Sequence, residues 1–241
     1  MKNHFPNMKK LLTLISLMCA MLVPIYAAPT EPQQQADKNA EQPDRKEKKT
    51  VKKVLFIGDS MTGWLSEALN GYGKENGFEV ATVVWDGSTM QKWANSPKLK
   101  QLIDDQDPDA VFISLGMNSL FDPKPAHLAP YVTKIKQAVG DRGLVWVGPP
   151  SWPGQKKGAV LTDWLADQLG SRHFFNSFNL QLPRQSARNP HPTRDGMIKW
   201  VDALVEWLPN SDLEFPGLKK PSAQRLVRGK TFIYKRMKET L

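Results

Sequence analysis

A short, wholly apolar run near the start of the folded part of the chain constrains the fold more than any other feature. Residues Val54 to Ile57 read Val-Leu-Phe-Ile, and the run ends at Gly58. β-Branched and aromatic residues favour strands, and a strand that is apolar at every position has to be covered on both faces. Helices provide that cover in parallel sheets, so the run predicts an α/β fold.

Similar apolar runs alternate with helical patterns along the rest of the chain. Further strands are predicted at residues 78–85, 110–115, 144–147 and 173–178. Apolar residues at helical spacing lie between and after the strands, at residues 64–69, 98–105, 126–139, 159–169 and 192–208. This alternation predicts a three-layer α/β/α sandwich with a five-stranded, mostly parallel sheet.

The first residues of the chain have the features of a targeting segment. Residues 1–27 have a basic start, an apolar stretch and small residues near the end, which predicts a signal peptide; an uncleaved membrane anchor is the alternative. Cys19 is the only cysteine and lies within this segment. An exported chain without disulfides is typical of the bacterial periplasm or cell surface, and we expect one of these locations.

The charge of the chain is concentrated near its ends. Residues 28–53 are charged and lack aromatic residues, which predicts a disordered linker before a folded domain at 54–215. The formal net charge is +9, but residues 216–241 have eight basic residues and one acidic residue, and the expected domain has a net charge of −3. We therefore expect no nucleic-acid partner. The basic C-terminal tail is expected to be solvated or to contact anionic envelope components.

Glycines and polar residues follow the first three predicted strands. The motifs are Gly-Asp-Ser at 58–60, Asp-Gly-Ser at 86–88 and Gly-Met-Asn-Ser at 116–119, and His191 lies just before the last helix. Because the carboxyl ends of parallel strands share one edge of a sheet, we expect these motifs to meet there. A serine hydroxyl needs a neighbouring base, and histidine is the usual one, so the pattern favours nucleophilic catalysis. The competing interpretation is that Ser60 or Asp59 only caps a helix.

These motifs, in this order, resemble those of the SGNH, or GDSL, hydrolase family over essentially the whole predicted domain. The resemblance implies a flavodoxin-like fold, with Ser60 as the nucleophile and His191 as the base. It further implies an oxyanion hole formed by the main-chain N–H groups of Ser60 and Gly87 and the side-chain amide of Asn118. No cofactor is implied, and no residues have metal-ligand spacing.

Two positions depart from the family's pattern. Arg188 stands three residues before His191, where the family has the aspartate that orients the histidine, and Ser119 replaces a second aspartate. An arginine side chain accepts no hydrogen bond. We expect either a main-chain carbonyl near Arg188 or the side-chain oxygen of Asn189 to hold the imidazole. Asp195 is a poor substitute because the first turn of the last helix directs it elsewhere.

The sequence predicts an exported serine esterase that hydrolyses an acyl ester, expected to be O-acetyl, on a small-molecule or polysaccharide substrate. Three tryptophans near the expected site, Trp64, Trp93 and Trp152, either stack on a sugar ring or pack in the core. Two alternatives stay open. One is an O-acetyltransferase of cell-envelope polysaccharide that uses the same residues, and the other is a catalytically inert, envelope-tethered binding module.

Overall fold

The computed structural model describes residues 49–155, 157–215 and 217–234, all within one unit of the chain, Lys46–Leu241. The strands of the main sheet are β1 (Lys53–Gly58), β2 (Glu79–Trp85), β3 (Ala110–Ser114), β4 (Gly143–Val147), β5 (Phe174–Phe175) and β6 (Lys230–Tyr234). The α-helices are α1 (Thr62–Asn76), α2 (Met90–Asn95), α3 (Lys98–Gln106), α4 (Ala129–Val139), α5 (Ala159–Leu169) and α6 (Arg194–Trp207). Short 3₁₀ turns occur at Met117–Ser119, Pro125–Leu128 and Leu208–Asn210.

The main sheet has the order β6-β2-β1-β3-β4-β5, and each neighbouring pair is parallel. The order 2-1-3-4-5 within it is that of flavodoxin-like folds. The predicted α/β/α sandwich is confirmed, but the sheet has six strands rather than five. In this topology the strand order reverses between β1 and β3, and ligands bind beyond the carboxyl ends of the strands at that point.

Helices cover both faces of the sheet, as the apolar strands require. Helices α1 and α6 lie on one face, where Phe56 and Trp200 belong to one apolar core. Helices α2 to α5 lie on the other face, where Ile57 and Trp146 belong to a second core. Residues 54–57 are completely buried, so the run from which the fold was predicted lies between the two helical layers.

The sixth strand comes from the segment that was expected to be a basic tail. β6 pairs with β2 along its whole length, and Phe232 lies opposite Val83. Upstream of β6, the main-chain N–H of Val227 donates to the carbonyl oxygen of Glu67 in α1 at 2.9 Å. The expectation of a solvated tail is therefore wrong for the described part of this segment. A five-residue edge strand among basic residues is too short for periodicity to reveal it.

A partly buried ionic cluster also connects this C-terminal segment to the helices. Asp202 on α6 accepts a hydrogen bond from the hydroxyl of Tyr72 on α1 at 2.7 Å. Lys220 Nζ lies 2.7 Å from Asp202 Oδ2, and the guanidinium of Arg225 contacts the other carboxylate oxygen. Only 15% of the Asp202 side chain is exposed, so water competes weakly for these contacts.

Replacing Asp202 with alanine is expected to loosen the C-terminal segment, because two cations and a hydroxyl lose their common acceptor. We expect a loss of about 2 kcal/mol in the free energy of unfolding. Trypsin cleavage between Lys219 and Arg228, followed by mass spectrometry, should become faster. Asp212→Ala is the control, because its 2.6 Å ion pair with Arg172 lies at the surface and should contribute little. Cleavage that is equally slow in both variants would contradict the role given to Asp202.

A hairpin that the sequence did not predict precedes the last helix. Strand Arg184–Ser186 pairs in an antiparallel manner with strand Asn189–Pro192. The predicted helix at 192–208 begins only at Arg194, because Thr193 caps it by accepting the N–H of Gly196 at 3.1 Å. The hairpin matters for the site because it contains His191.

The remaining expectations concern the N-terminal part of the chain. Lys49–Thr50, at the end of the expected linker, pairs in parallel with Leu213–Glu214. None of the helices among the described residues is long and apolar enough to cross a membrane. The expected signal peptide at 1–27 lies outside the described residues and stays a prediction.

Candidate active site

The turn after β1 places Ser60 at the reversal of strand order. Gly58 ends the strand where a side chain has no room, since a Cβ there would lie 2.1 Å from the carbonyl oxygen of Ser114. The N–H of Asp59 donates to that same oxygen at 3.1 Å, so β1 and β3 are joined immediately before the serine. Helix α1 begins two residues later, at Thr62. Ser60 is thus half-buried between a strand end and a helix start.

The fold brings Ser60 together with His191, the predicted base. The Oγ of Ser60 lies 2.9 Å from Nε2 of His191, although 131 residues separate them in sequence. Both residues are half-buried, so the pair is shielded from water on one side and open on the other. At this distance a serine hydroxyl donates to a neutral imidazole nitrogen, which is the starting arrangement for an activated nucleophile.

The other ring nitrogen of His191 faces Asn189. Nδ1 lies 2.8 Å from Oδ1 of Asn189, and the main-chain N–H of His191 donates to the same oxygen at 3.0 Å. A main-chain N–H can only donate, so the Asn189 atom that faces the ring is its oxygen. Nδ1 therefore holds the proton, and Nε2 is free to accept the hydrogen of Ser60. The amide nitrogen of Asn189 donates to Oε1 of Gln185 at 2.8 Å and is held in that orientation.

The side chain of Asn189 holds the imidazole of His191. The sequence had left two candidates for this contact, a main-chain carbonyl near Arg188 and the side-chain oxygen of Asn189. Arg188 is exposed, and its main-chain N–H donates to Oγ of Ser186 at 3.3 Å. Asp195 is exposed on the first turn of α6. An amide oxygen orients the ring as a carboxylate would, but it has no full negative charge. It therefore stabilises a protonated imidazole less.

Arg184 braces the hairpin that holds His191, and the sequence pattern did not indicate it. One guanidinium nitrogen donates to the carbonyl oxygen of Pro190, and the other donates to the carbonyl oxygen of Ser151 at 2.8 Å. Arg184 thus links the histidine strand to the loop after β4. The only available signal was its place seven residues before the histidine, which has no meaning until the hairpin is known.

The three expected oxyanion donors belong to loops that meet at Asn118. Its side-chain nitrogen donates to the carbonyl oxygen of Ser88 at 2.8 Å and lies 3.5 Å from Oδ2 of Asp59. Ser88 follows Gly87 and Asp59 precedes Ser60, so the three motifs are adjacent. Within the described residues, the main-chain N–H groups of Ser60 and Gly87 donate to no protein acceptor, whereas the side-chain nitrogen of Asn118 donates to two protein oxygens.

Comparison with known proteins identifies the fold. No model of a known protein family matches the chain, and no curated protein sequence matches it. Among solved structures, the family 3 carbohydrate esterase of Clostridium thermocellum is 14% identical at a TM-score of 0.50, covering 66% of this chain and 94% of that one. A protein of the G-D-S-L family from Desulfitobacterium hafniense DCB-2 is also 14% identical at a TM-score of 0.50, covering 65% of this chain and 99% of that one. A two-domain esterase active on acetylated mannans is 13% identical at 0.50, covering 73% and 55%.

The chain has the SGNH, or GDSL, hydrolase fold. At these identities the likeness establishes the fold, and the roles of the site residues stay predictions. On this SGNH fold the motifs at 58–60, 86–88 and 116–119 follow β1, β2 and β3, where the sequence analysis expected them.

Asp59, the aspartate of the Gly-Asp-Ser motif, turns into the protein rather than towards the cleft. Its side chain is 1% exposed, and Oδ1 accepts the N–H of Met61 at 3.0 Å at the start of α1. Burial raises the pKa of Asp59 to about 7, whereas hydrogen bonds from the N–H groups of Met61 and Met117 oppose that rise. The bond from the N–H of Met61 to Oδ1 spans two residues and forms an Asx turn before α1, whose N-cap residue is Met61 and has no side-chain cap, so the helix-capping interpretation holds for neither Asp59 nor Ser60. The hydroxyl of Ser60 is instead bonded to His191.

The environment of His191 favours its neutral form. Partial burial lowers the pKa of His191 below its ordinary value, since a charged ring would lose hydration. The positive charge of Arg184 acts in the same direction, and the nearby carboxylate of Asp86 acts against it. The neutral ring is the form that can accept a proton from Ser60.

The lowered pKa predicts the acid limb of an activity profile. Protonated His191 cannot accept the Ser60 hydrogen, so kcat/KM should fall as the pH drops through the pKa of His191 in the free enzyme. We expect the midpoint of that fall below 6.5, the ordinary histidine value. The measurement is kcat/KM for 4-nitrophenyl acetate across the acid and neutral range, with Ser60→Ala protein as the background. A midpoint above 6.5 would contradict the assignment.

The three tryptophans that the sequence analysis expected near the site have different environments. Trp93 is completely buried, and its indole N–H donates to Oγ of Ser88 at 2.9 Å, so it belongs to the core. Trp64 is 39% exposed. Trp152 is half-buried against Phe121, with ring centroids 5.7 Å apart. In the part of the chain that the structure describes, no cluster of histidine, cysteine and acidic side chains is arranged to hold a metal ion.

Proposed function

We propose that this protein is an exported serine esterase that hydrolyses an O-acetyl ester on a carbohydrate. The observation that carries the proposal is the chain of contacts from Ser60 through His191 to Asn189. A hydroxyl bonded to an imidazole whose other nitrogen is held as a donor is the arrangement of an activated serine. Among proteins of the same fold, one is named a carbohydrate esterase and another an esterase active on acetylated mannans, which supports the substrate class.

In the first half of the proposed reaction, Ser60 takes the acyl group. Its oxygen attacks the ester carbonyl carbon while Nε2 of His191 accepts the hydroxyl proton. Negative charge develops on the carbonyl oxygen, and the N–H groups of Ser60 and Gly87 together with the Asn118 amide would stabilise it. The tetrahedral intermediate collapses when the carbon–oxygen bond to the sugar breaks. The sugar oxygen leaves with the proton from Nε2.

In the second half, water releases the acyl group. Nε2 of His191 accepts a proton from water, and the hydroxide that forms attacks the acyl carbon. The same three donors would stabilise the second oxyanion. The intermediate collapses as the bond to the oxygen of Ser60 breaks and that oxygen takes the proton from Nε2. Acetic acid leaves and ionises to acetate in solution. Throughout both halves, Asn189 is expected to keep the ring in the tautomer that presents Nε2 to the serine.

Export and the polysaccharide partner are parts of the proposal that rest on sequence. The leader-like composition of residues 1–27 supports export to the bacterial periplasm or cell surface. Fractionation of cells that express the full chain tests this directly, because an exported protein should appear outside the cytoplasm with the leader removed. Retention of the whole chain in the cytoplasm would refute it.

The enzymatic part is tested with the purified mature chain. Labelling with a fluorophosphonate should modify Ser60, and acetate should be released from 4-nitrophenyl acetate and from acetylated oligosaccharides. Products are separated by mass spectrometry with an unacetylated oligosaccharide present as acceptor. Acetate without acetylated acceptor indicates a hydrolase, and acetylated acceptor indicates the transferase alternative. Neither labelling nor turnover would refute both and leave the inert binding module.

A further inference from the structure

A groove runs from Asn118 along the side of the site formed by the ends of β3 and β4. Its volume is about 590 Å³, within the range of small-molecule sites. Asn118 lines its inner end and Trp152 lines its wall. Trp152 follows Ser151, whose carbonyl oxygen is held by Arg184 together with that of Pro190. Through these two hydrogen bonds, Arg184 links the segment that contributes Trp152 to the groove with the strand that contains the histidine.

The groove is much larger than an acetyl group needs. Two kinds of substrate would fill it: an ester with a long acyl chain, or an acetyl ester whose alcohol part lies in the groove. The two differ in the surface they require. An acyl chain needs an apolar lining throughout, whereas a sugar needs an apolar face on one side and polar groups at its edge.

One wall of the groove is aromatic. Phe121 lines the groove and is 47% exposed. Its ring lies against that of Trp152, with centroids 5.7 Å apart and an interplanar angle of 52°. Two tilted rings of this kind present a broad apolar surface. The C–H face of a pyranose packs well on such a surface.

Another part of the lining is polar and fixed in position. Oδ1 of Asp122 accepts the main-chain N–H of Lys124 at 3.0 Å, and Oδ2 lies 3.4 Å from Nε2 of His127. Nδ1 of His127 in turn lies 2.9 Å from the carbonyl oxygen of Lys124. A carboxylate and an imidazole held this way can bind hydroxyl groups, and they would be costly to bury against an acyl chain. The negative charge of Asp122 also disfavours an acidic sugar.

We propose that this groove binds a neutral pyranose in the alcohol part of the ester. Phe121 and Trp152 lie against the face of the ring, and Asp122 receives its hydroxyl groups. This inference rests on the proposed esterase function. It adds that the groove is the part of the site that selects the substrate. A small aryl acetate does not need the groove, whereas an acetylated oligosaccharide does.

The test compares two substrates in one variant. Phe121→Ala removes an exposed ring and should leave the fold intact. We expect it to lower kcat/KM for acetylated xylo-oligosaccharides roughly three- to tenfold, mainly through KM, and to change that for 4-nitrophenyl acetate by less than about twofold. Ile233→Ala on β6, at the far edge of the sheet, truncates a side chain that is 63% exposed and should change neither.

Two further arms distinguish the ligand. Asp122→Asn should improve turnover of acetylated oligogalacturonides relative to acetylated xylo-oligosaccharides, because it removes a negative charge from the groove. A larger effect of Phe121→Ala on 4-nitrophenyl octanoate than on the acetylated sugar would overturn the proposal in favour of an acyl-chain groove. Equal loss on both acetate substrates would also overturn it.

Failure of the subsite and failure of the esterase function give different results. If the wild-type protein hydrolyses 4-nitrophenyl acetate but Phe121→Ala leaves turnover of the acetylated sugar unchanged, only the sugar subsite is refuted. If the wild-type protein hydrolyses neither substrate, the proposed function fails, and the inference that depends on it falls as well.

Discussion

Replacing Ser60 with alanine is expected to lower kcat for 4-nitrophenyl acetate by about 10⁴-fold or more and to abolish fluorophosphonate labelling. The physical reason is that no other hydroxyl is placed 2.9 Å from Nε2 of His191 among the described residues. His191→Ala should cause a loss of similar size, because the nucleophile and its base act as one unit. The double variant should therefore be little worse than either single variant.

The control for the histidine is His173→Ala. His173 is also partly buried, and its Nδ1 lies 3.2 Å from the carbonyl oxygen of Leu144, far from Ser60 in the sheet. It should lose stability at most and keep its turnover. Circular dichroism and thermal unfolding show whether the site variants remain folded. Turnover that survives Ser60→Ala would refute the serine mechanism outright.

Substitutions of Asn189 should have the second largest effect on turnover. Asn189→Ala should lower kcat, whereas Asn189→Asp should retain or improve turnover above the acid limb. Asn189→Ala removes the acceptor of both the Nδ1 proton and the main-chain N–H of His191, so the ring loses its orientation. We expect kcat to fall on the order of 100-fold, since a base displaced by about an ångström loses that much. KM for a small acetate ester should change little, because Asn189 would not touch the substrate.

Asn189→Asp tests the same contact from the other direction. A carboxylate still accepts the Nδ1 proton, and Gln185 can rotate to donate its amide to the new oxygen. The negative charge favours protonated His191, so its pKa should rise and the acid limb of kcat/KM should move to higher pH. Turnover well above that midpoint should be retained or improved. A variant pair in which neither kcat nor the acid limb changes would show that Asn189 does not position the histidine.

Much of the fold followed from local patterns in the chain. The completely buried run at 54–57 and the alternation of strands with helices predicted the layers correctly, because burial on both faces leaves an unbroken apolar signature. The helix at Ala159–Leu169 was predicted with its observed limits. Elements with weak signatures were missed. Helix α2 has six residues, fewer than two turns, and β6 is a five-residue edge strand in a basic segment, so neither repeats its burial pattern often enough to be recognised.

Part of the candidate site could be predicted from the order of the strands along the chain. Ser60, Gly87 and Asn118 each follow a strand, and the ends of neighbouring parallel strands meet, so their proximity could be inferred from order alone. His191 required the resemblance to a family, because a single histidine in a short hairpin strand has no local signature. The roles of Arg184 and Gln185 could not be inferred, since each depends on the hairpin pairing of Arg184–Ser186 with Asn189–Pro192.

The amino-acid sequence by itself determined the class of fold, the edge of the sheet where the site lies and the residue types available for chemistry there. These follow from hydrophobic periodicity and chain order, which are local or nearly local properties. Only the tertiary structure decided which group orients His191, that the C-terminal segment completes the sheet, and that Phe121 and Trp152 share a wall of a groove. Each of these is a contact between side chains or strands brought together by folding, and its geometry depends on the packing of the whole domain.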